Sequence, residues 1–399
     1  MSIATAPTSD IALAELLADP FTVYATMRSL GPIVWVPALG RYCVTDHDQI
    51  VTMERDSERF STADLSSPTV RALGQSIISK DGEAHRRERA SCEPALRPKV
   101  ILDDWAPVFQ RNTDAIIDTF VDRGRADLAE DFGSRLASRN ITDMLGFDEV
   151  SDETMLRWSR AIVGGCGNYL DDPDVWAACD TARSEIDDAV ASSADRLRSE
   201  PDASIISAMA NADGNLSVEE MGRNAAVIIG GGINEPNHAI TIAVLGLLTN
   251  PEQRAQVEAD TSGDQWKRVF EESLRWIAPL GITLRKTRHA GEFAGVHLDE
   301  GANLLGMFAA ANRDPERHEN PDAFNINRAA QPHLSFGSGP HMCMGVWMAR
   351  MSIGQIALPT LFRRLPGLRL AEPVKVVGDA WTDWMFRGLR HLDVGWETS

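Results

Sequence analysis

A long helical pattern from Ser217 to Thr249 constrains the fold of this chain more than any other segment. Its first residues, 217–220, form an S-x-x-E capping box, which satisfies backbone N–H groups at a helix start. Its middle holds consecutive glycines at 230–232 and then Pro236, which disfavour a helix by roughly 1 kcal/mol for each glycine and about 3 kcal/mol for the proline. Apolar residues at helical spacing nevertheless continue to Leu247. We therefore expect one long helix with an opened middle; two helices that meet at a glycine-rich turn are the alternative.

Apolar residues at helical spacing also dominate most of the remaining chain. We expect helices over residues 105–123, 135–145, 176–198, 252–259 and 265–276. Short segments rich in β-branched and aromatic residues predict a hairpin of 33–36 and 42–45, and further strands at 281–285, 292–298 and 303–307. Because no linker rich in Pro, Ser and Gly interrupts the sequence, we expect a mainly α fold with a small β region. It would form a single domain over residues 1–399, of which 1–19 are a loosely ordered N-terminal segment.

The charge and the cysteine content indicate a cytoplasmic protein that binds neither nucleic acid nor membrane. With 39 Lys and Arg against 58 Asp and Glu, the formal net charge is -19, which disfavours binding to polyanions. The first ten residues lack the basic and apolar pattern of a signal peptide, and no apolar run approaches the length of a membrane span. An odd number of cysteines without a C-x-x-C pair disfavours a zinc ribbon or a disulfide scaffold. The cysteines are Cys43, Cys92, Cys166, Cys179 and Cys343.

One cysteine, Cys343, lies in a glycine-punctuated loop, residues 336–345, that runs directly into a helix-competent segment. Glycines let a backbone turn tightly and approach a flat macrocycle closely. Backbone N–H groups at the following helix start can stabilise a thiolate. Such a thiolate is an axial ligand of haem iron that favours cleavage of the O–O bond. The alternative is a buried structural cysteine in a glycine-rich turn, which is the commoner environment of an arbitrary cysteine.

The spacing F-G-x-G-x-x-x-C-x-G in this loop resembles the haem-binding loop of the cytochrome P450 family. Further motifs follow in the family's order along the chain: His85-x-x-x-Arg89, the interrupted helix, Glu272-x-x-Arg275, Arg285 and the segment 312–324. The resemblance extends from about Pro20 to Trp396. It implies the cytochrome P450 fold, a triangular helical prism that encloses haem b (protoporphyrin IX iron) between the interrupted helix and the cysteine-loop helix.

The resemblance also assigns roles to individual residues around the haem. They are the thiolate ligand Cys343, the propionate partners Arg89, Arg285 and His341 with His85 as a helper, and the haem-contacting Gly231, Phe336 and Gly345. Glu272 and Arg275 match a structural pair of the family that links to the region of Arg328, so we expect no catalytic role for them.

The interrupted helix departs from the family at the position of a threonine that normally supports proton delivery. When Pro251 fixes the register, Glu235 stands in the threonine position and Asn234 in the position of the preceding acid. In one interpretation Glu235 relays protons, because a carboxyl group in an apolar pocket has a raised pKa and can act as a general acid. In a second, Glu235 handles hydrogen peroxide and the enzyme is a peroxygenase. In a third, Glu235 only orders water or caps the opened backbone.

The sequence Gly-x-x-x-Glu-Pro around Glu235 resembles a bacterial subgroup that acts on small aromatic compounds, including O-demethylases of methoxyphenols. By this resemblance, the protein is a haem-thiolate monooxygenase that inserts one oxygen atom from O2 into a small aromatic substrate. A separate ferredoxin or flavodoxin-type donor, with its reductase, would supply the electrons. The missing threonine also suggests an alternative without turnover, a haem-binding sensor or carrier. The family's pocket positions hold Leu73, Ile77, Val227, Leu280, Ile282 and Phe386, and each of them has core packing as its alternative role.

Overall fold

The computed structural model of the protein describes residues 5–398, which divide into two compact units. Unit 1 contains residues 5–63, 241–343 and 369–392, and unit 2 contains residues 64–240, 344–368 and 393–398. The organisation as a single domain over residues 1–399 stays a prediction.

Helices make up most of unit 2 and a smaller part of unit 1. They are α1 Leu13–Ala18, α2 Pro20–Leu30, α3 His47–Arg55, α4 Pro68–Leu73, α5 Gly82–Cys92, α6 Pro98–Val100, α7 Ala106–Asp118, α8 Ser134–Leu145, α9 Asp152–Cys166, α10 Pro173–Ser199, α11 Ile205–Ala210, α12 Val218–Leu248, α13 Pro251–Glu258, α14 Asp264–Trp276, α15 Phe308–Ala311, α16 Val346–Ala349 and α17 Leu358–Arg364. Wider, π-helical turns join α6 to α7 and α16 to α17. All of the helices that the sequence predicts are present, with ends that differ by a few residues.

The strands are short and belong mostly to unit 1. They are β1 Ile33–Val36, β2 Arg41–Val44, β3 Phe60–Ser61, β4 Arg125–Asp127, β5 Thr283–Thr287, β6 Gly291–Phe293, β7 Val296–Leu298, β8 Asn303–Gly306, β9 Arg369–Leu370 and β10 Asp393–Gly395. A five-stranded sheet in unit 1 has the order β1-β2-β8-β5-β3. In unit 2, β4 pairs with β10. The expectation of a mainly α fold with a small β region is confirmed.

The long helix is present, as the capping box and the resumed apolar spacing predict, but it is α-helical over all of residues 218–248, without the expected opened middle. α12 runs from Val218 to Leu248 with Pro236 inside it, so the alternative of two helices is wrong. At its start, Glu220 N donates to Ser217 Oγ at 3.1 Å and Ser217 N donates to Glu220 Oε2 at 2.9 Å. Burial of the apolar residues on either side of the glycines outweighs the local cost of the proline.

Two β predictions are instructive. The predicted hairpin of 33–36 and 42–45 is present, with Ile33 opposite Val44. The segment predicted as one strand at 292–298 is instead the hairpin β6–β7, which turns at Ala294 and Gly295 with φ of 51° and 78°. Two successive positive φ values are the geometry of a tight hairpin turn, and alanine seldom adopts it.

The N-terminal segment 1–19, for which we expect loose order, includes residues 1–4, which lie outside the described residues. Of the rest, 13–18 form α1 and Thr8 bridges to Trp35. Leu16 has no exposed surface.

Each unit has its own apolar core. In unit 2, α5 to α12 bury a cluster that includes Phe109, Ile141 and Ile229. In unit 1, the five-stranded sheet packs against the N-terminal helices around Tyr24 and Met307. Within residues 5–398, no helix is both long enough and apolar enough to cross a membrane.

Candidate functional site

The cysteine loop of unit 1 has a backbone that only glycine permits at two positions. Gly337 and Gly339 have φ of 66° and 65°, in the left-handed region. A Cβ atom on Gly339 would also lie 2.6 Å from the carbonyl oxygen of Glu54 at the end of α3. Across the loop, Cys343 N donates to Phe336 O at 2.8 Å. The glycines therefore let this loop pack directly against a helix end while it holds the cysteine backbone in a closed turn.

Cys343 differs from the other cysteines in its exposure. Its residue is exposed, whereas Cys43, Cys92 and Cys179 are buried and Cys166 is half-buried. Burial raises the pKa of Cys43, Cys92 and Cys166 to about 12, so these remain thiols at neutral pH. Cys343 is thus exposed as a residue, so the alternative of a buried cysteine does not fit.

The other candidates of the cysteine loop, His341, Phe336 and Gly345, have different surroundings. His341 is half-buried at the end of a short 3-10 turn, Gly339–His341. Phe336 packs with its ring centre 6.4 Å from that of Phe270 and 5.8 Å from that of His333. Gly345, in unit 2, precedes α16 with φ of -80°, which any residue can adopt. Backbone conformation therefore does not explain the glycine at 345.

Arg285, predicted to bind a propionate, is buried in β5 and is held by several oxygens. Its Nη1 donates to Thr283 Oγ1 and Leu284 O, both at 2.7 Å. Its Nη2 donates to Glu54 Oε1 at 3.2 Å. Oε2 of the same carboxylate accepts from Ser338 N in the cysteine loop at 2.7 Å. Glu54 therefore connects the arginine to the loop.

The Glu272–Arg275 pair in α14 has a structural geometry. The guanidinium donates to both oxygens of Glu272 at 2.8 Å. It also donates to three backbone carbonyls, of Asn312, Pro321 and Ala323, at 2.7 to 3.1 Å. Arg328 Nε lies 3.5 Å from Glu272, which is the link that the family resemblance implies. Arg275 thus ties the irregular segment after α15 to α14.

In unit 2, the three central glycines of α12 have different surroundings. A Cβ on Gly232 would lie 2.6 Å from Ile141 Cδ1, and one on Gly230 would lie 3.2 Å from Ile162 Cγ2. A Cβ on Gly231 would meet nothing nearer than Glu235 Oε1, at 3.9 Å. Gly230 and Gly232 therefore allow close helix packing, whereas Gly231 leaves open space beside the carboxyl group of Glu235.

Glu235 is the most strongly perturbed carboxyl group on this helix. Burial raises its pKa to about 8, although hydrogen bonds from its own backbone and from the Asn234 side chain act in the opposite direction. Its Oε2 has no hydrogen-bond partner within residues 5–398. The residue as a whole is half-buried, but Oε2 is buried, and Oε1 would lie 3.9 Å from a Cβ on Gly231. At neutral pH it is mostly protonated and can donate a proton.

Four further candidates in unit 2 lie on α5, at the end of α4 and in the 3-10 turn between these helices. His85 is buried, and Arg89 Nε donates to Glu93 Oε1 at 2.9 Å. Leu73 and Ile77 are buried, and Ile77 N donates to Asn224 Oδ1 of α12 at 2.9 Å. Leu73 belongs to the core cluster of unit 2, which supports its alternative role in packing.

The other pocket candidates divide between core and surface. Val227 is half-buried on α12. In unit 1, Leu280 and Phe386 are half-buried and form an isolated β-bridge with each other. Ile282 is buried in the core of that unit. Val227, Leu280 and Phe386 therefore keep side-chain surface that a ligand can contact.

Two buried carboxylates, those of Glu54 and Glu88, are not predicted from the sequence. Glu54 is 3% exposed, and Glu88 on α5 is fully buried. Glu88 pairs with Lys80 and accepts from Asn224 Nδ2 at 3.0 Å. A helical signal exists for both, since Glu54 follows the buried Ile50 by four residues and Glu88 follows the buried His85 by three.

Comparison with known proteins agrees with this geometry. A family model described as Cytochrome P450 matches residues 173–365. The 6-deoxyerythronolide B hydroxylase of Saccharopolyspora erythraea is 28% identical over 398 residues, covering 94% of this chain and 96% of that protein. Cytochrome P450 107B1 of the same organism is 30% identical over 304 residues, covering 75% of this chain and 72% of that protein. The chain belongs to the cytochrome P450 family. The solved structure of CalO2 has the same fold, with a TM-score of 0.85 and 26% identity over 95% of this chain and 96% of that one.

Membership of the cytochrome P450 family confirms three predictions: the fold, a monooxygenase activity and haem b as the cofactor. The residues present fit that cofactor. In unit 1, Cys343 is exposed in a loop closed by its own backbone. In unit 2, a Cβ on Gly231 would meet nothing nearer than Glu235 Oε1, and Glu235 Oε2 has no hydrogen-bond partner among the described residues. Bacterial P450 enzymes use O2 and redox partners of the ferredoxin type, as the resemblance implies.

Proposed function

We propose that this cytochrome P450 oxidises a small aromatic substrate and removes the methyl group of a methoxyphenol. The observation that supports the proposal is Glu235, a carboxyl group with a pKa of about 8 at a position where the family normally has a threonine. The same Glu-Pro sequence is typical of the bacterial subgroup that acts on methoxylated aromatics. A small apolar substrate also suits the surface that Leu280 and Phe386 keep within unit 1.

The cofactor and the chain have separate tasks in this proposal. Haem, when bound through Cys343, supplies activation of dioxygen. Arg89, Arg285, His85 and His341 are the candidates that bind its propionates. Glu235 holds a proton at Oε1 or Oε2 at neutral pH and can release it while the substrate is oxidised.

The stoichiometry of O-demethylation determines which reactants must be supplied. O-demethylation consumes the aryl methyl ether, O2, two electrons and two protons, and releases a phenol, formaldehyde and water. A C–H bond of the methoxy group becomes C–OH, and the resulting hemiacetal loses formaldehyde as its C–O bond breaks. The electrons come from a ferredoxin or flavodoxin-type donor with its reductase, and Glu235 is the group that we propose to deliver protons at the site.

A peroxygenase is the second candidate function, and the acidity of Glu235 favours it too. With hydrogen peroxide in place of O2 and electrons, the methyl ether gives the same phenol and formaldehyde plus water. The carboxyl group would then bind and orient peroxide through its proton and its Oε2, which has no partner within residues 5–398. The choice between the two functions rests on which oxidant supports turnover.

The test begins with ligand binding. Methoxyphenols, benzoates, terpenes and fatty acids are titrated into the purified holoenzyme, and the low-to-high spin shift identifies binders. We expect methoxyphenols to give the largest shift, and formaldehyde to appear with a ferredoxin chain. If only terpenes or fatty acids shift the spectrum, the substrate assignment is wrong.

Variants then separate the functions. Cys343→Ala is expected to lose the thiolate-type Soret band of the reduced carbon monoxide complex. Glu235→Gln keeps the shape of the side chain but removes its acidic proton. We therefore expect slower turnover with the ferredoxin chain, with peroxide, or with both. If Glu235→Gln and Glu235→Thr leave both routes unchanged, neither role of Glu235 holds. A spectrum that responds to ligands without product from either oxidant would favour a sensor or carrier.

A further inference from the structure

The C-terminal end of α3 places a buried carboxylate between two parts of the haem-binding machinery of unit 1. Glu54 is 3% exposed. Its Oε1 accepts from Arg285 Nη2 at 3.2 Å, and its Oε2 accepts from Ser338 N at 2.7 Å. The two bonds reach residues 231 and 284 positions away along the chain.

The surroundings of Glu54 hold both partners in fixed positions. The hydroxyl of Thr283 accepts from Arg285 Nη1 at 2.7 Å and is also hydrogen-bonded to Glu54. The loop lies so close to α3 that a Cβ on Gly339 would be 2.6 Å from Glu54 O. The guanidinium therefore cannot turn, and the loop cannot move away from α3, without breaking a bond to this one side chain.

Burial of an ion pair costs desolvation free energy, so the presence of this pair needs an explanation. Desolvation raises the pKa of Glu54, while Arg285 and the hydrogen bonds from Ser338 and Thr283 act against it. Loss of Glu54 alone would leave the buried Arg285 without this counter-charge, which is strongly destabilising, whereas replacement of both partners by apolar side chains often costs no stability. Stability alone therefore does not explain why an ion pair is buried here.

We propose that Glu54 is a positioning residue that sets the charge and the geometry of the proximal haem environment. Its negative charge balances Arg285, and its second oxygen fixes the backbone of the loop that carries Cys343. Glu54 does not touch the iron or the substrate; it acts through the arginine and through the Ser338 amide. This role depends on the haem cofactor and not on the identity of the substrate.

Two substitutions separate the charge from the loop contact. Glu54→Gln keeps a carbonyl oxygen for Ser338 N but removes the charge opposite Arg285. We expect the thiolate-type Soret band of the reduced carbon monoxide complex to remain. The ferric-to-ferrous reduction potential should rise, because an uncompensated Arg285 favours the more negative, reduced haem; a tenfold change in the equilibrium constant is about 59 mV for one electron. Glu54→Asp, which restores the charge, should bring the potential back toward the wild-type value.

Glu54→Leu removes both interactions. We expect part of the thiolate-type Soret band to be lost, and haem to transfer about tenfold faster to an excess of a haem-scavenging apoprotein. Glu88→Gln is the matched control, because it removes another fully buried carboxylate whose partners are Lys80 and Asn224. That control should change the unfolding midpoint but neither the potential nor the spectrum.

The outcomes decide the proposal. It is supported if Glu54→Gln raises the potential with an intact spectrum and Glu54→Leu loses haem faster. It is overturned if Glu54→Gln leaves the potential at the wild-type value, or if Glu88→Gln shifts the potential equally. It is also overturned if Glu54→Leu keeps both its haem and its full spectrum. These measurements need no substrate, so a wrong substrate assignment would not affect them.

Discussion

Replacement of Glu235 by glutamine should make the protein more stable, and by an amount that depends on pH. The pKa of this carboxyl group is about 8 in the folded protein, against an ordinary value of 4.5. Below pH 4.5 the group is protonated in both states and has no effect on the folding equilibrium. As the pH rises toward 8, the unfolded chain releases the proton while the folded protein keeps it, so stability is lost across this window.

The size of the effect follows from the two pKa values. With 1.36 kcal/mol for each pKa unit, the linkage relation gives a cost of roughly 1.4 kcal/mol at pH 5.5 and roughly 4.6 kcal/mol at pH 8.5. The wild type should therefore lose about 3 kcal/mol between these two pH values relative to Glu235→Gln. Because the side chain is half-buried, solvent screening makes this an upper value.

Urea unfolding of the holoprotein and of Glu235→Gln, each at pH 5.5 and pH 8.5, measures the effect. Subtracting the variant removes the contribution of every other titrating group, since both proteins share them. Glu88→Gln provides the comparison for loss of a buried carboxylate that has a cationic partner. The reasoning would be refuted if the difference between the wild type and Glu235→Gln were the same at both pH values, or larger at pH 5.5.

Further expectations follow from the same contacts. Gly231→Ala should raise the unfolding free energy by about 0.5–1 kcal/mol through helix propensity and weaken ligand binding in the spin-shift titration. Gly232→Ala should lower the unfolding free energy by about 1–2 kcal/mol in urea unfolding, because its Cβ would lie 2.6 Å from Ile141 Cδ1; Ile141→Val in the same chain should restore part of the loss. Arg275→Leu should cost about 3–5 kcal/mol by the same assay, because it leaves the buried Glu272 with only the more distant guanidinium of Arg328. If Glu235 relays protons, turnover with the ferredoxin chain should fall as the pH rises through about 8, and a pH–rate profile of Glu235→Gln should be flat across that range.

The sequence alone predicts the secondary-structure elements whose signals lie within a few neighbouring residues. The capping box at Ser217 and the apolar spacing on both sides of Pro236 predict α12, since each depends on residues within a few turns. It was insufficient at 292–298, because the turn there places Ala294 at a φ of 51°, and Ala-Gly is a weak signal for such a turn. The two-residue strand β3 is also too short to show any alternation.

In the candidate site, too, a residue with a local sequence signal is predicted, and a residue whose partners are distant in sequence is not. The spacing around Cys343 predicts a reactive cysteine, and its exposure agrees. Glu54 could not be found from spacing, because its partners lie 231 and 284 residues away and only the folded chain brings them together. A charged residue on the buried face of an amphipathic helix, four residues after an apolar one, is nevertheless a signal that can be searched for in other chains.

Glu54 and Glu235 show that burial alone does not decide what a glutamate does in this protein. Desolvation raises the pKa of both. Glu54 also has a guanidinium at 3.2 Å and a backbone N–H at 2.7 Å, both of which favour the ionised form and fix its position. Glu235 has no cation among the causes of its shift, so its pKa reaches about 8. The first therefore suits a fixed charge, and the second suits a group that gains and loses a proton during each turnover.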